Sequence, residues 1–110
     1  MSKFDKSPLQ ERLIEIVFDV VKANGRLSTR LIDDLVEFRL GLRLSNEDRN
    51  ALKKRLGWTR VLLSSTGFIE RELYRRAWRL AVGGESVAGV VGKEVIATRS
   101  AMRKALYPKE

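Results

Sequence analysis

Three consecutive segments of this 110-residue chain each begin at a serine that can cap a helix and end at a glycine that can stop one. The segments span residues 7–25, 28–41 and 45–57, and apolar residues follow helical spacing within each of them. In the first segment Pro8 stands at the first helical position, where its missing N–H is harmless. Because such helices must bury their apolar faces against one another, the pattern predicts a mainly α fold, a compact helical domain.

The segment after Gly57 allows two structures. Its first seven residues suit a β-strand, residues 65–67 can form a turn, and a return strand would complete a short β-hairpin around residues 58–76. Four apolar residues beyond the turn instead fall at helical steps. These are Ile69, Leu73, Ala77 and Leu80. This periodicity favours a helix over residues 67–82, with the hairpin as the alternative.

Two further helices are predicted beyond the glycine pair at residues 83–84. A short helix covers residues 86–91. Thr98 then offers a cap for a last helix, which Pro108 would stop.

Positive charge is concentrated in the second part of the chain. Residues 1–48 carry 8 Lys and Arg against 9 Asp and Glu, whereas residues 49–110 carry 14 against 5. The length suits one domain over residues 1–110. We therefore expect residues 1–48 to supply the scaffold and a dimer interface, and the basic part to attract the phosphates of nucleic acid.

The composition argues against most enzyme classes. The sequence has no cysteine and no histidine, so it lacks thiolate and imidazole metal ligands, disulfides and the commonest general base. Asp33, Asp34 and Glu37 form a tight acidic group that could hold Mg²⁺, but they are expected on the solvated side of the second helix, away from the basic residues. We predict no enzymatic activity, no cofactor and no metal. The sequence begins with polar residues and contains no long apolar run. These two features predict a cytoplasmic, nucleoid-associated protein.

The order of elements in residues 8–76 is informative about function. A capped helix, a turn at residues 26–28, a second helix, a loop and a third helix capped at Ser45 follow one another. This order resembles the winged helix-turn-helix family, in which the third helix enters the major groove of DNA and a following β-hairpin touches the backbone or minor groove. The resemblance implies a hairpin tip at Thr66 and Gly67, and a set of DNA-facing residues on the third helix. These are Asn46, Arg49, Asn50, Lys53 and Lys54.

Residues 94–106 carry a second pattern that points to DNA. A short stretch that could turn precedes a small polar residue, an arginine and a serine at the start of the last predicted helix. The pattern is similar to the turn and recognition helix of repressor and recombinase helix-turn-helix proteins, with residues 86–92 as the first helix. The resemblance and the local basic charge imply DNA contacts from Thr98, Arg99, Ser100, Arg103 and Lys104. Which of the two candidate helices enters the groove is left open.

Two other groups of residues have competing interpretations. If residues 67–82 form the favoured helix, Arg71, Arg75 and Arg79 line one side of it and could follow the phosphates of nucleic acid. Glu70 and Glu72 could instead form ion pairs with these arginines. Three aromatic residues could stack on unpaired bases, although packing is the favoured interpretation. They are Trp58, Tyr74 and Trp78.

These observations predict a sequence-specific protein that binds double-stranded DNA as a homodimer. We expect it to act by occupying an operator, as a transcriptional regulator or as an accessory factor of a phage or plasmid. Two alternatives remain: an RNA-binding or ribonucleoprotein assembly factor, and a helical adaptor between proteins. No small-molecule ligand or membrane partner is indicated by the sequence.

Overall fold

Four helices and three short strands make up the part of the chain that the computed structural model describes, which comprises residues 8–41, 43–72, 77–84 and 89–106. The mainly α fold predicted from the sequence is confirmed, and the structure also contains the short β-hairpin that was the alternative to a helix. In chain order the elements are α1 (Pro8–Asn24), β1 (Arg26–Ser28), α2 (Thr29–Leu40), α3 (Asn46–Ser65), β2 (Ile69–Glu72), β3 (Ala77–Leu80) and α4 (Val91–Leu106).

Helix α1 lies at the centre of the fold. It begins at Pro8 and ends at Asn24, as predicted, while Ser7, its predicted cap, lies outside the described residues. It contacts α2, α3, α4 and the sheet, so most of its circumference is covered. Burying an apolar side chain this completely contributes about 1.5–3 kcal/mol to stability. The α1 residues that are at most 2% exposed include Leu13, Ile14, Val17, Phe18, Val20 and Val21.

Side-chain caps begin α2 and α3 at the predicted serines. The Ser28 hydroxyl accepts a hydrogen bond from the Leu31 amide at 3.2 Å, and the Ser45 hydroxyl accepts one from the Asp48 amide at 3.2 Å. Gly41 ends α2 with a φ of 67°, a left-handed conformation that strains most other residues.

The apolar face predicted for α2 is only partly buried. Ile32 and Val36 are fully buried in the core, but Leu31 is 51% exposed and Phe38 is 83% exposed. Leu31 and Phe38 are seven residues apart, two helical turns, and therefore share one outer side of α2.

Helix α3 is longer than predicted. The expected stop at Gly57 is wrong, and residues 58–64, which suit a strand by composition, continue the helix to Ser65. Packing explains the difference, because residues at helical spacing on both sides of Gly57 turn toward the core. The Thr59 hydroxyl also accepts a hydrogen bond from Gln10 Nε2 at 2.8 Å and donates one to the Arg55 carbonyl at 2.9 Å. The core-facing residues are Leu52, Leu56, Thr59 and Leu63.

The three strands form an antiparallel sheet in the order β1-β3-β2. The favoured helix over residues 67–82 is therefore wrong, and the hairpin alternative holds, displaced from residues 58–76 to residues 69–80. Residues 26–28, expected as a turn, form β1, which pairs with β3 and places Leu27 opposite Trp78. This long-range pairing cannot be read from local periodicity. The expected hairpin tip at Thr66 and Gly67 is wrong, since these residues lie between α3 and β2; residues 73–76, between β2 and β3, lie outside the described residues.

Helix α4 is one continuous helix from Val91 to Leu106. Residues 94–97, expected as a turn, are helical, and Thr98 lies in the middle of the helix instead of at its cap. The second predicted helix-turn-helix is therefore wrong. Residues 86–88 of its predicted first helix, and Pro108, fall outside the described residues, while residues 89–90 form a turn and residues 91–92 begin α4.

A carboxylate of α1 satisfies amides at the start of α4. Glu15 accepts a hydrogen bond from the Gly92 amide at 2.7 Å and another from the Gly89 amide at 3.0 Å. A β-carbon added at Gly92 would lie 2.8 Å from the backbone oxygen of Glu11, so only glycine allows α1 and α4 to cross this closely.

Candidate nucleic-acid interface

The first half of α3 projects polar side chains into solvent. Ser45 fixes its start, and the side chains turn toward the core only from Leu52 onward. Ala51, in the same half of the helix, is exposed as well. This half of α3 therefore presents a set of hydrogen-bonding and basic groups that does not take part in core packing. The exposed members of the predicted set are Asn46, Asn50, Lys53 and Lys54.

Arg49, the fifth predicted residue of α3, is held by Glu37 of α2. Its Nε donates to both carboxylate oxygens, at 3.1 and 3.2 Å, and its Nη2 donates to Oε1 at 2.9 Å. This bidentate bond lowers the pKa of Glu37 and raises that of Arg49. The Arg49 side chain stays 42% exposed, so it is oriented by Glu37 yet open to solvent.

A second ion pair joins the same two helices in the interior. Arg60 Nη1 donates a hydrogen bond to Asp33, and the two side chains are 11% and 9% exposed. Burial raises the pKa of the Asp33 carboxyl, although Arg60 and, more weakly, Lys53 oppose the rise. The pair fixes α2 against α3 beneath the exposed half of α3.

Two of the three acidic residues of α2 lie against α3, whereas Asp34 is exposed as predicted. Asp33 and Glu37 were predicted to face solvent away from the basic residues, but they contact Arg60 and Arg49. No spacing rule reveals these pairings in the sequence, because the two acids are four residues apart on α2 while their partners are eleven residues apart on α3. The contact neutralises part of the positive charge of α3.

The hairpin carries a network of ion pairs on its outer face. Arg79 Nε donates to Glu70 at 2.5 Å, directly across the β2-β3 pair, and Arg79 Nη1 lies 3.4 Å from Glu72. Arg26 of β1 reaches Glu72 as well, at 2.9 Å. The two glutamates thus pair with arginines, as the alternative interpretation of this region anticipated.

Arg71 and Arg79 do not form a stripe. In the hairpin Arg71 lies opposite Trp78 and Arg79 lies opposite Glu70, so the two arginines point to opposite faces of the sheet. Arg71 is exposed, and its guanidinium carbon lies 5.9 Å from the centre of the Trp78 ring. Arg75 lies outside the described residues.

The candidate residues of α4 are spread around that helix. Thr98, Arg99, Ser100 and Arg103 are half-buried, and Lys104 is exposed. The guanidinium carbon of Arg99 lies 5.6 Å from the centre of the Trp58 ring on α3, a cation–π contact.

Two of the three aromatic residues considered for base stacking are used in packing. Trp78 is 8% exposed, and its Nε1 donates to the Thr29 hydroxyl at 2.9 Å. Trp58 is half-buried against the core and Arg99. Tyr74 lies outside the described residues.

Within the described ranges, no group of three or more acidic side chains is placed to share a metal ion. The helices found there are too short or too polar to cross a membrane.

No protein-family model, curated protein or solved structure matches this chain. Any assignment of function therefore rests on the site itself.

Proposed function

We propose that this protein binds double-stranded DNA as a winged helix-turn-helix protein, with α3 in the major groove and the β2-β3 hairpin against the backbone. The observation that carries the proposal is the division of α3: its second half packs in the core, while its first half presents Asn46, Asn50, Lys53 and Lys54 to solvent. The hairpin follows α3 directly, in the order that the family resemblance implies.

The exposed groups suit the chemistry of base recognition. An asparagine amide can pair with the N6 and N7 edge of adenine, and a lysine can donate to O6 and N7 of guanine. Asn50 and Lys54 are one turn apart on α3, so they can address neighbouring base pairs from one side of the helix. Arg71, exposed on the hairpin, is suited to a phosphate.

The α2 carboxylates give this interface its selectivity. Glu37 orients Arg49 and cancels part of its attraction for any polyanion. Binding then depends more on matched contacts along α3 than on charge alone, which favours sequence-specific over general DNA binding.

The protein acts as a homodimer in this proposal. The outer side of α2 carries Leu31 and Phe38, which are 51% and 83% exposed, and a second copy can cover them by a two-fold contact. Two copies would double the DNA contacts and read a palindromic operator in the cytoplasm, at the nucleoid. Occupancy of that operator by a regulator, or by an accessory factor of a phage or plasmid, would block or recruit other machinery.

A titration of labelled duplexes at two salt concentrations tests the proposal. The logarithm of the affinity should fall steeply with the logarithm of the salt concentration. Lys54→Ala and Asn50→Ala should weaken binding to a selected sequence, whereas Lys93→Ala, an exposed lysine of α4, serves as the control of equal charge change for Lys54→Ala. Tighter binding to single-stranded RNA at matched salt, or weak binding without salt dependence, would contradict the proposal.

A further inference from the structure

Helix α4 brings Arg99 against Trp58 of α3. Arg99 lies over the ring of Trp58, at 5.6 Å from its centre. Trp58 follows Lys54 by one helical turn and Ala51 by two, and both of these residues are exposed. The contact therefore lies along the same helix that carries the proposed DNA-reading residues.

The hydrogen-bonding capacity of Arg99 is not met. Its Nε–H is buried and has no acceptor in the part of the chain that the structure describes. Guanidinium groups carry five donors and no acceptor, and leaving a buried donor unpaired is unfavourable. Stacking on Trp58 fixes the position of Arg99 without supplying the acceptor that its Nε–H lacks.

Arg103 extends this positive charge by one turn of α4. Arg103 is half-buried. It follows Arg99 by four residues and therefore lies on the same side of the helix. Within the described ranges neither arginine has a carboxylate in ion-pair range, in contrast to Arg49, Arg60 and Arg79, which are all paired. Arg26 and Arg39 are paired as well, so Arg99 and Arg103 are among the arginines of the described ranges whose charge no carboxylate offsets.

We propose that Arg99 and Arg103 bind a phosphate of the DNA backbone where the duplex passes from α3 to α4. A phosphate supplies anionic oxygens that accept the paired N–H groups of guanidinium, and a backbone contact of this kind would anchor the duplex without reading its sequence. Trp58 acts as the platform that holds Arg99 at the edge of the α3 surface until the phosphate arrives. This inference rests on the DNA-binding function proposed above.

Three glutamine variants of α4 test the inference. Arg99→Gln and Arg103→Gln each remove one charge from the proposed site, and Lys93→Gln removes one charge from an exposed position six residues before Arg99. The measurement is duplex affinity by fluorescence anisotropy over a series of salt concentrations, with unrelated sequences as well as a selected one. Circular dichroism verifies that each variant is folded, and a failure of Arg99→Gln to fold leaves Arg103→Gln as the test.

Each arginine variant should bind every duplex more weakly than the natural protein, and the factor of weakening should not depend on the DNA sequence. The slope of log affinity against log salt should become shallower by about one for each lost phosphate contact. Lys93→Gln should keep the slope of the natural protein.

Arginine variants that match Lys93→Gln in affinity and slope would overturn the phosphate site while leaving duplex binding by α3 intact. A natural protein that binds no duplex would overturn the proposed function itself, and the phosphate site with it. The two failures are therefore distinguishable in one set of titrations.

An optical signal provides an independent measurement. The chain has two tryptophans, so Trp78→Phe leaves Trp58 as the one tryptophan, whose emission can be excited selectively over that of the two tyrosines. Duplex should change its emission as Arg99 turns from the ring toward a phosphate, and the change should vanish when Arg99→Gln is added. An unchanged emission at saturating duplex would contradict the role of Trp58 as the platform.

Discussion

The buried ion pair between Asp33 of α2 and Arg60 of α3 predicts a large, pH-dependent loss of stability when one partner is removed. Both side chains are about nine-tenths covered, so Arg60→Met leaves a carboxylate without its partner in the interior. Breaking a buried pair in this way costs about 3–5 kcal/mol. Against a total of about 5–15 kcal/mol for a domain, that is a substantial fraction. Replacing both partners, as Asp33→Leu with Arg60→Met, should restore most of the loss because no buried charge remains.

The pH dependence follows from the pKa of Asp33. Burial already raises this pKa, and Arg60 opposes the rise, so Arg60→Met should raise it further. The carboxyl is protonated in both folded and unfolded states below its unfolded pKa of about 4, where the penalty is absent. The penalty grows as pH rises through the folded pKa, so the variant should be more strongly destabilised at pH 7 than at pH 4.

Urea unfolding followed by circular dichroism at the two pH values measures these differences. The double variant is the control for lost packing, since it keeps the volume and removes both charges. A loss below about 1 kcal/mol at pH 7 for Arg60→Met is typical of a solvent-exposed pair and would refute the buried contact.

Three other changes have definite expected outcomes. Gly92→Ala should destabilise the fold by about 1–3 kcal/mol in urea unfolding, because its β-carbon would lie 2.8 Å from the Glu11 oxygen. Gly57→Ala should instead stabilise by about 0.5–1 kcal/mol, since its β-carbon would meet only one side-chain atom at 3.6 Å; equal effects of the two changes would contradict the close crossing. Glu37→Gln should strengthen binding to unrelated duplexes in anisotropy titrations and steepen its salt dependence, because it frees the charge of Arg49; weaker binding would contradict the neutralising role of Glu37.

Helix boundaries that depend on local capping chemistry were predictable from the sequence. Ser28 and Ser45 cap α2 and α3, and Gly41 ends α2 in the left-handed conformation. Each of these signals acts over three or four residues and needs no distant partner. They are sufficient to place the helices that carry the candidate site.

Boundaries that depend on distant packing were not predictable in the same way. Gly57 reads as a stop, but residues on both sides of it reach the core, and α3 continues through it. The periodicity over residues 67–82 reads as a helix, but β3 pairs with β1, far earlier in the chain. Thr98 reads as a cap, but α4 begins earlier, where Glu15 accepts hydrogen bonds from two amides. In each case a tertiary contact outweighs the local preference.

The candidate site was predicted in part. The exposed residues of α3 were found from the cap at Ser45 and the helical spacing that follows. The two ion pairs between α2 and α3 were not predicted. They join Arg49 to Glu37 and Arg60 to Asp33. The net charge of a segment does not show which carboxylates the fold brings into contact with which arginines. The positive charge of the second part is therefore less concentrated than the sequence alone suggests.

The most direct test of which protein surface binds DNA is an NMR titration. Amide chemical shifts of the isotopically labelled protein are recorded as duplex DNA is added. Our account predicts that the largest changes fall on residues 46–54 of α3 and on the hairpin, with smaller ones beside Arg99 and Arg103, while the buried face of α1 stays unchanged. Shifts confined to surfaces remote from α3 and the hairpin, or an unchanged spectrum at saturating duplex, would contradict it.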